Sequence, residues 1–411
     1  VRAVCERIRT RMGEIFRLKN KIQNYAWGSR SILGRMRGVP VPTDKPEAEV
    51  WVGAHPAAPS VATVDGSEQQ PDELVAQQPG RFLRPDRNSD WFPFLFKILA
   101  IDAPLSIQVH PTDEQAAAGF EDEQARGIPL DAPHRNYKDR YSKPETVIAL
   151  TNMRVLTGVR PAEQLKNLAR AFNASWLADR AHLAPKELLT AIIRMPEPEA
   201  AQAVDQLAAT AHKLGQTRRK AAPYVLDAIE LVNLVAHKYP GDRGLLVAFV
   251  MNLVHLAPGD SAFTPDGQVH AYVSGTAIEL MNPSDNVMRA GLTPKHIDTE
   301  ELIRVLGDSQ DTPEIQRPTP DNTAVGEYTM WDERMSVTRI RVAPKETIDY
   351  VFEGTSAALV VDGTITITIA GAVTGAGQDY TLGGTESVLH AGDPTPVTIT
   401  GSGELYIAQY V

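Results

Sequence analysis

The hydrophobic pattern divides the chain into two strand-like regions on either side of a helical one. Short apolar stretches broken by Gly, Pro and Asp fill residues 15–148 and predict strands joined by turns. Residues 160–237 are instead rich in Ala and Leu at helical spacing, with several segments opening on Pro, which predicts a block of helices. Strand-like patterning returns at residue 244, with one short helical segment over residues 293–307. Beyond residue 324, β-branched runs separated by DG and GG turns predict an antiparallel sandwich or barrel.

This order predicts a mainly β protein with inserted helices. The two strand-like regions beside the helical block both contain candidate site residues, so we expect them to form one jelly-roll β-sandwich interrupted by helices. This catalytic domain comprises residues 12–158 and 241–323, with an α-helical insertion at residues 159–240. A second, C-terminal β-sandwich domain takes residues 324–411, and residues 1–11 form an N-terminal extension.

Composition narrows the class of protein. A chain of 411 residues exceeds one ordinary core, and 43% hydrophobic residues supply ample material for burial. The net charge of −10 argues against a nucleic-acid partner, and no window resembles a membrane-spanning helix. The single cysteine, Cys5, excludes an intramolecular disulfide, and the N-terminus lacks a secretory apolar region. We therefore expect a cytoplasmic protein, without a membrane partner, that acts as a monomer on a small molecule.

A metal site is indicated by two positions in an apolar alternating run. Gln108 and His110 are two residues apart in SIQVHP, so in a strand both side chains project from the same face. Glu145 in SKPE adds a carboxylate, and His270, where a PDG turn leads into a strand-like segment, adds a fourth donor. An amide oxygen, two imidazoles and a carboxylate aimed at one point are suited to a divalent metal. Without thiolates, such a site leaves the metal Lewis-acidic and favours catalysis.

Four sequence blocks extend this interpretation: NKIQNYAWGS, PLSIQVHP, SKPE and GQVHAYVSGTAIELMNPSDNVMRAGLTPK. Together, and in this order, they resemble the type I mannose-6-phosphate isomerase family of the cupin superfamily, over the chain from about Met12 to the C-terminus. The resemblance implies a cupin catalytic domain and one zinc ion held by Gln108, His110, Glu145 and His270. These are the four residues that the pattern itself selects.

The resemblance also implies an activity. It is the zinc-dependent interconversion of mannose 6-phosphate and fructose 6-phosphate, by proton transfer between C1 and C2 through an enediol or enediolate. This reaction belongs to mannose metabolism, including GDP-mannose biosynthesis. Arg289 would stabilise the developing negative charge, since a guanidinium is always protonated. Glu279 and Lys143 are the proton-handling candidates, and the base is left open among these two and a metal-bound water. Asp285 would orient Arg289 or Lys143, or cap a turn.

The phosphate group of such a substrate needs cationic and hydroxyl partners. The resemblance implies that Ser106, Lys97 and Lys295 contact the phosphate or its surroundings. Lys97 is notable from its sequence context alone, because it interrupts the apolar run FLFKILA, where an ammonium group requires an anionic partner. A pocket role is implied for Trp27 and Glu49. Tyr272, two residues after His270, should face the metal from the same strand surface.

Some positions depart from the family or fall outside it. The family commonly has a histidine directly before its KPE, where this chain has Ser142, which puts metal tuning in doubt more than metal binding. The residues from Glu121 to Asp139 are expected to form a long polar loop, which could act as a lid or rim over the site. We expect His134 in that stretch to be solvated, and His390 in the C-terminal region to lie at the surface.

Two alternatives to the isomerase compete on sequence grounds. One is another metalloenzyme on the same scaffold, acting on a different sugar phosphate or as an iron oxygenase. The Gln ligand and the phosphate-binding lysines disfavour the oxygenase. The other is a non-catalytic sugar-phosphate or metal sensor, which would be expected to have lost Arg289, Lys143 or Glu279, all present here.

Overall fold

The computed structural model describes residues 13–64, 67–77, 79–82, 92–217, 220–369 and 379–411. The predicted N-terminal extension, residues 1–11, lies outside them. The strands are, in chain order, β1 (Glu14–Lys19), β2 (Lys21–Gln23), β3 (Glu49–Val52), β4 (Val61–Val64), β5 (Ser67–Gln69), β6 (Leu95–Ile101), β7 (Ile107–Val109), β8 (Glu145–Ala149), β9 (Met153–Val159), β10 (Met251–Leu256), β11 (Ser261–Thr264), β12 (His270–Met281), β13 (Met288–Gly291), β14 (Ile315–Gln316), β15 (Val325–Thr329), β16 (Met335–Val342), β17 (Thr347–Ile369), β18 (Asp379–Gly383) and β19 (Ser387–Tyr410). The helices are α1 (Ile32–Met36), α2 (Pro71–Gln77), α3 (Pro79–Phe82), α4 (Asp113–Ala125), α5 (Ala162–Phe172), α6 (Ser175–Ala178), α7 (Pro185–Ile193), α8 (Glu197–Thr217), α9 (Pro223–Lys238), α10 (Gly244–Val250) and α11 (Thr299–Val305).

The strands form two antiparallel sheets. The first has the order β15-β16-β19-β1-β4-β5, with β17 paired to β19 and β18 paired to β17. The second has the order β14-β11-β8-β12-β6-β3-β2, and β12 also pairs with β7 and β9. A mainly β fold with inserted helices is therefore confirmed. The first sheet combines C-terminal strands with β1, β4 and β5, which the sequence analysis placed in the catalytic domain, so the proposed domain boundaries stay a prediction.

The two sheets share a core. Val50 and Ile98 of the second sheet belong to the same buried cluster as Leu359 and Tyr406 of the first. The chain neighbours of Leu359 and Tyr406 lie in a separate buried cluster on the opposite face of the first sheet, so that sheet is covered by apolar side chains on both faces there. Burying a side chain of this size contributes about 1.5–3 kcal/mol, so this layer fixes the second sheet against the first.

The helical block is an insertion between two paired strands. β9 precedes it and β10 follows it, and the two are antiparallel neighbours, with Met153 opposite Leu256. α7 and α9 begin with Pro185 and Pro223, in the first helical turn where a missing N–H costs nothing. One part of the sequence prediction was wrong: residues 244–250 form α10 rather than a strand, because a short continuous apolar run fits a buried helix equally well.

The insertion covers the outer face of the second sheet. Phe172 and Phe249 of the helices belong to one buried cluster with Val109 of β7 and Val273 of β12. The second sheet, which contains the candidate ligands, thus packs against the first sheet and against the helical insertion. Among the helices that the structure describes, none has the length and apolarity needed to cross a membrane.

Candidate metal centre and substrate pocket

Strand register brings three predicted site residues side by side. On the second sheet, His270 of β12 lies directly opposite Gln108 of β7, and Gln108 lies directly opposite Arg289 of β13. Directly opposite residues in antiparallel strands project from the same face. The imidazole, amide and guanidinium therefore line one surface of the sheet, although β7 lies far in sequence from the consecutive strands β12 and β13.

The carboxylate of Glu145 lies between the two predicted histidines. Its Oε1 is 3.3 Å from His110 Nε2, and its Oε2 is 3.4 Å from His270 Nε2. The two imidazole rings are 4.9 Å apart between centroids. Lys143 Nζ lies 2.6 Å from Glu145 Oε1 and adds a cation to the same cluster.

Both imidazoles are held by backbone carbonyls through the nitrogen that faces away from Glu145. His110 Nδ1 lies 2.8 Å from the Asn286 carbonyl oxygen, and His270 Nδ1 lies 3.0 Å from the Gln268 carbonyl oxygen. A carbonyl can only accept a hydrogen bond, so each Nδ1 has a hydrogen, and the neutral form of each ring has its lone pair on Nε2. Metal-binding histidines are oriented by this kind of contact.

Burial and neighbouring charges set the protonation of the cluster. Burial, reinforced by the charge of Lys143, lowers the pKa of His110 to about 4. Burial alone would raise the pKa of Glu145, but the charges of Lys143 and His110 more than offset it and hold that pKa well below its ordinary value. At neutral pH the site therefore presents a neutral imidazole at His110 and an ionised carboxylate at Glu145, the forms in which both bind metals.

These donors fit a divalent cation. His110, Glu145 and His270 each offer a ligand atom within 4.8 Å of the others, and all three are buried. His110 Nε2 is buried without a hydrogen bond, which is costly for a polar atom unless a ligand occupies that position. Gln108 Nε2 donates to Ser106 Oγ at 3.2 Å, which leaves the Gln108 carbonyl oxygen as its cation-binding atom. The site could therefore hold one metal ion through two nitrogens and two oxygens.

A buried ion pair lies on the same sheet beside this cluster. Lys97 Nζ is 3.0 Å from Glu279 Oε2, and the two residues are directly opposite in β6 and β12. Burial would lower the pKa of Lys97, but Glu279, Glu49 and Glu145 together raise it. Burial also raises the pKa of Glu279, against the opposing effect of Lys97. The anionic partner that the sequence context of Lys97 required is thus Glu279.

Aromatic side chains lie next to Lys97 and His270. Trp51 stands opposite Lys97, with the ammonium 5.3 Å from its ring centroid, and its indole N–H donates to Glu49. Tyr272 is buried, and its ring centroid is 6.4 Å from that of His270. Burial, with the nearby Glu279 and Glu145, raises the pKa of Tyr272 well above its ordinary value, so its hydroxyl stays protonated.

A tightly held loop follows Arg289. Asp242, between α9 and α10, accepts hydrogen bonds from the N–H groups of Gly244 (2.7 Å), Leu292 (3.2 Å) and Thr293 (3.3 Å). Partial burial lowers the pKa of Arg289, and partial burial with the nearby Arg289 charge lowers the pKa of Lys295. Arg289, predicted to stabilise the developing negative charge, and Lys295, predicted to contact the phosphate, therefore lie at the two ends of a loop that Asp242 holds in place.

Asp285 has a different partner from those predicted. Its Oδ1 lies 3.3 Å from Nε2 of the buried His55, rather than being paired with Arg289 or Lys143. Burial would raise the pKa of Asp285, but the contact with His55 lowers it. His55 Nδ1 accepts a hydrogen bond from Ala57 N–H at 3.2 Å, so a neutral His55 has its hydrogen on Nε2, facing Asp285.

Sequence reasoning missed His55, Trp51 and Asn286. The first two follow Glu49 in AEVWVGAHP, where Glu49 and Trp51 share a strand face, so that signal was available. Trp27 is half-buried and stacks on Tyr25 at 5.9 Å between ring centroids. Burial and the charge of Glu49 raise the pKa of Tyr25, which places this second aromatic near the same pocket.

Two further expectations were wrong, and one was confirmed. His390 is fully buried, stacked on Phe352 at 5.4 Å, instead of lying at the surface. The polar stretch expected from Glu121 to Asp139 begins within α4, which continues to Ala125. His134, in the part of that stretch without regular structure, is exposed as expected.

The chain resembles a family of known enzymes. Residues 15–162 match the family described as "Phosphomannose isomerase type I, catalytic domain". The mannose-6-phosphate isomerase of Escherichia coli (strain K12) is 35% identical over 298 residues, which cover 70% of this chain and 73% of that protein. The enzyme of the same name from Bos taurus is 30% identical over 394 residues, covering 86% of this chain and 88% of its own length.

Solved structures extend the likeness to almost the whole chain. A mannose 6-phosphate isomerase from Salmonella typhimurium bound to substrate and a zinc atom superposes with a TM-score of 0.83 at 29% identity. The match covers 96% of this chain and 99% of that one. A mannose 6-phosphate isomerase bound with zinc and yttrium gives the same TM-score, identity and coverage.

Proposed function

The chain belongs to the type I phosphomannose isomerase family, and from this membership we propose that it interconverts mannose 6-phosphate and fructose 6-phosphate with one bound zinc ion. The observation that carries the proposal is the position of Glu145 between two imidazoles whose Nδ1 atoms are both held by carbonyls. Such a preorganised set is expected where a cation must be held rigidly. Gln108, His110, Glu145 and His270 would hold the zinc, which supplies a Lewis acid to polarise a substrate oxygen.

The reaction moves hydrogen between neighbouring carbons. A base removes the C2 proton of the open-chain aldose, the electron pair forms a C1–C2 double bond, and an enediolate results. Transfer of the O2 proton to O1 and return of a proton to C1 then give the ketose, with its carbonyl at C2 and its hydroxyl at C1. We assign Glu279 as the base that removes the C2 proton. Its raised pKa lies closer to neutral pH than that of an exposed carboxylate, which makes Glu279 the better base. Lys143 would exchange the hydroxyl protons, and Tyr272 would contact the sugar.

Cationic groups would stabilise the negative charges of the enediolate and of the phosphate group. Arg289, on the same sheet face as Gln108 and His270, is suited to the enediolate oxygens, because its charge is permanent and its fork binds two oxygens. Ser106, Lys97 and Lys295 would bind the phosphate or fix its surroundings. Trp27, Glu49 and Asp285 would line the pocket around the sugar.

A coupled assay tests the proposal directly. Fructose 6-phosphate formation from mannose 6-phosphate would be measured on the purified protein, after chelation, and after zinc is restored. We expect activity to disappear with the chelator and to return with zinc. A folded, zinc-loaded protein that does not turn over mannose 6-phosphate would refute the assignment, and a panel of other sugar phosphates would then separate a related isomerase from a sensor.

The cellular setting is part of the same proposal. We place the enzyme in the cytoplasm, as a monomer with the domain division given above, and in mannose metabolism leading towards GDP-mannose. A single cysteine and a net charge of −10 suit a reducing compartment and a small-molecule substrate. Light scattering on the purified protein tests the monomer, for which we expect the mass of one chain, 44.9 kDa.

A further inference from the structure

We propose that Asn286 is a positioning residue that couples the metal ligand His110 to the rim segment, residues 138–144, which leads into the ligand Glu145. The inference rests on the metal centre of the proposed function. It adds a residue that touches neither metal nor substrate and acts only through the two ligands.

The first half of the coupling is a backbone contact. The carbonyl oxygen of Asn286 lies 2.8 Å from His110 Nδ1, over a sequence separation of 176 residues. This contact fixes the tautomer and the ring plane of His110, and so the direction of its Nε2 lone pair. The position of the Asn286 backbone is therefore a direct determinant of the geometry at one ligand.

The second half is the side chain of the same residue. Asn286 is 0% exposed, and its amide is bonded to the rim segment through both ends. Oδ1 accepts from Lys138 N–H (2.7 Å) and Asp139 N–H (3.3 Å), and Nδ2 donates to the carbonyl oxygens of Asp139 (2.9 Å) and Tyr141 (2.9 Å). Nδ2 also donates to the side-chain Oδ1 of Asp139 at 3.1 Å. The other four partners are backbone groups, so the amide mainly specifies the path of the chain.

Two residues shortly before Asn286 in sequence also form hydrogen bonds to the rim segment. Ser284 Oγ donates to Asp139 Oδ1 at 2.9 Å, and Asn282 Nδ2 donates to the Ser142 carbonyl oxygen at 3.4 Å. The rim segment then passes through Lys143 and reaches Glu145 at the start of β8. The positions of two proposed ligands, His110 just after β7 and Glu145 at the start of β8, thus both depend on Asn286. Displacing Asn286 should move both ligands.

Zinc affinity measures the effect without requiring turnover. Removing an outer-shell partner of a metal ligand typically weakens metal binding by about 10- to 100-fold. We expect Asn286→Ala to raise the zinc dissociation constant by that factor, measured by competition with a chromophoric chelator. The matched control is Asn20→Ala, because the Asn20 amide also makes several hydrogen bonds, to Thr385, Ser387 and Ser60, none of which is a proposed ligand or a contact of one. We expect Asn20→Ala to bind zinc as the wild type does, within about 3-fold, whatever its loss of stability.

Hydrogen exchange provides the second measurement. In the wild type, zinc should slow amide exchange across residues 138–142, because the metal fixes Glu145 and His110 and through them the rim segment. In Asn286→Ala this zinc-dependent protection should be lost. If Asn286→Ala does not fold, Asn286→Asp replaces it, since it keeps the shape of the side chain and removes both Nδ2 hydrogen bonds to the rim carbonyls.

The outcomes are decisive for the proposal. Wild-type zinc affinity in the Asn286 variant overturns it, as does equal weakening in Asn20→Ala, which would mean that affinity follows overall stability. A wild-type protein that binds zinc tightly but does not isomerise mannose 6-phosphate removes the proposed function and leaves the role of Asn286 intact. A wild-type protein that binds no zinc removes both.

Discussion

Lys97→Met separates the two charges of the buried ion pair and has a calculable effect. The substitution leaves Glu279, which is 3% exposed, without the cation that lies 3.0 Å away. Burial already raises the pKa of Glu279 and Lys97 opposes this, so without Lys97 that pKa rises further and the folded variant keeps Glu279 protonated. Keeping a proton on a carboxyl whose ordinary pKa is about 4.3 lowers the free energy of unfolding by at most about 3.7 kcal/mol at pH 7 and about 1 kcal/mol at pH 5.

The sign of the pH dependence follows from proton binding. Above pH 4.3 the unfolded chain releases the Glu279 proton and the folded variant retains it, so the stability of the variant falls as pH rises. In the wild type, the raised pKa of Lys97 keeps its ammonium charged between pH 5 and pH 7, so Lys97 itself adds no pH dependence to the stability. Urea unfolding of the metal-free proteins at pH 5 and pH 7 measures the difference.

The matched control for this experiment is the double variant Lys97→Met with Glu279→Gln. It has no titrating carboxyl at position 279, so its penalty relative to wild type should be smaller at pH 7 and change much less between the two pH values. A Lys97→Met penalty of equal size at pH 5 and pH 7 would refute the reasoning, because it would mean that the loss comes from packing and not from the uncompensated carboxylate.

Two further changes test individual side chains. His270→Ala should lose the bound zinc, whereas His134→Ala, at an exposed histidine, should retain one zinc per chain; elemental analysis decides, and a loaded His270→Ala protein would contradict the ligand assignment. His55→Leu should lower kcat by about 10- to 100-fold through the loss of a hydrogen bond to the Asp285 carboxylate, while His55→Gln keeps an N–H donor and should retain most of the activity. Equal activities of the two His55 variants would show that the contact with Asp285 has no catalytic effect.

The candidate ligands could be found from sequence because their signals are local. Gln108 lies in β7 and His110 directly follows that strand, and Glu145 and His270 are each the first residue of a strand. The requirement that they meet also predicted that the helices are inserted into one β unit. The pairing of β9 with β10 on either side of the helical block agrees with that inference.

Other features depend on contacts that no local pattern records. Asn286 reaches His110 across 176 residues, and neither residue type nor spacing indicates which carbonyl will face an imidazole. His390 is buried because β1, from the opposite end of the chain, pairs with its strand, placing Ile15 opposite it. The α10 segment was misassigned for a different reason: a short, wholly apolar run has no period to distinguish helix from strand.

The loop between α9 and α10, which contains Asp242, limits how far the helical insertion could be shortened. The loop between α9 and α10 packs directly on the loop after Arg289: a Cβ at Gly291 would lie only 2.3 Å from Gly244 Cα, and Leu292 has a φ of +56°. Cutting out the whole insertion and joining β9 to β10 by a short turn would leave the Leu292 and Thr293 amides without their acceptor. A shortened variant would therefore have to keep residues 242–244, because they support the loop that follows Arg289.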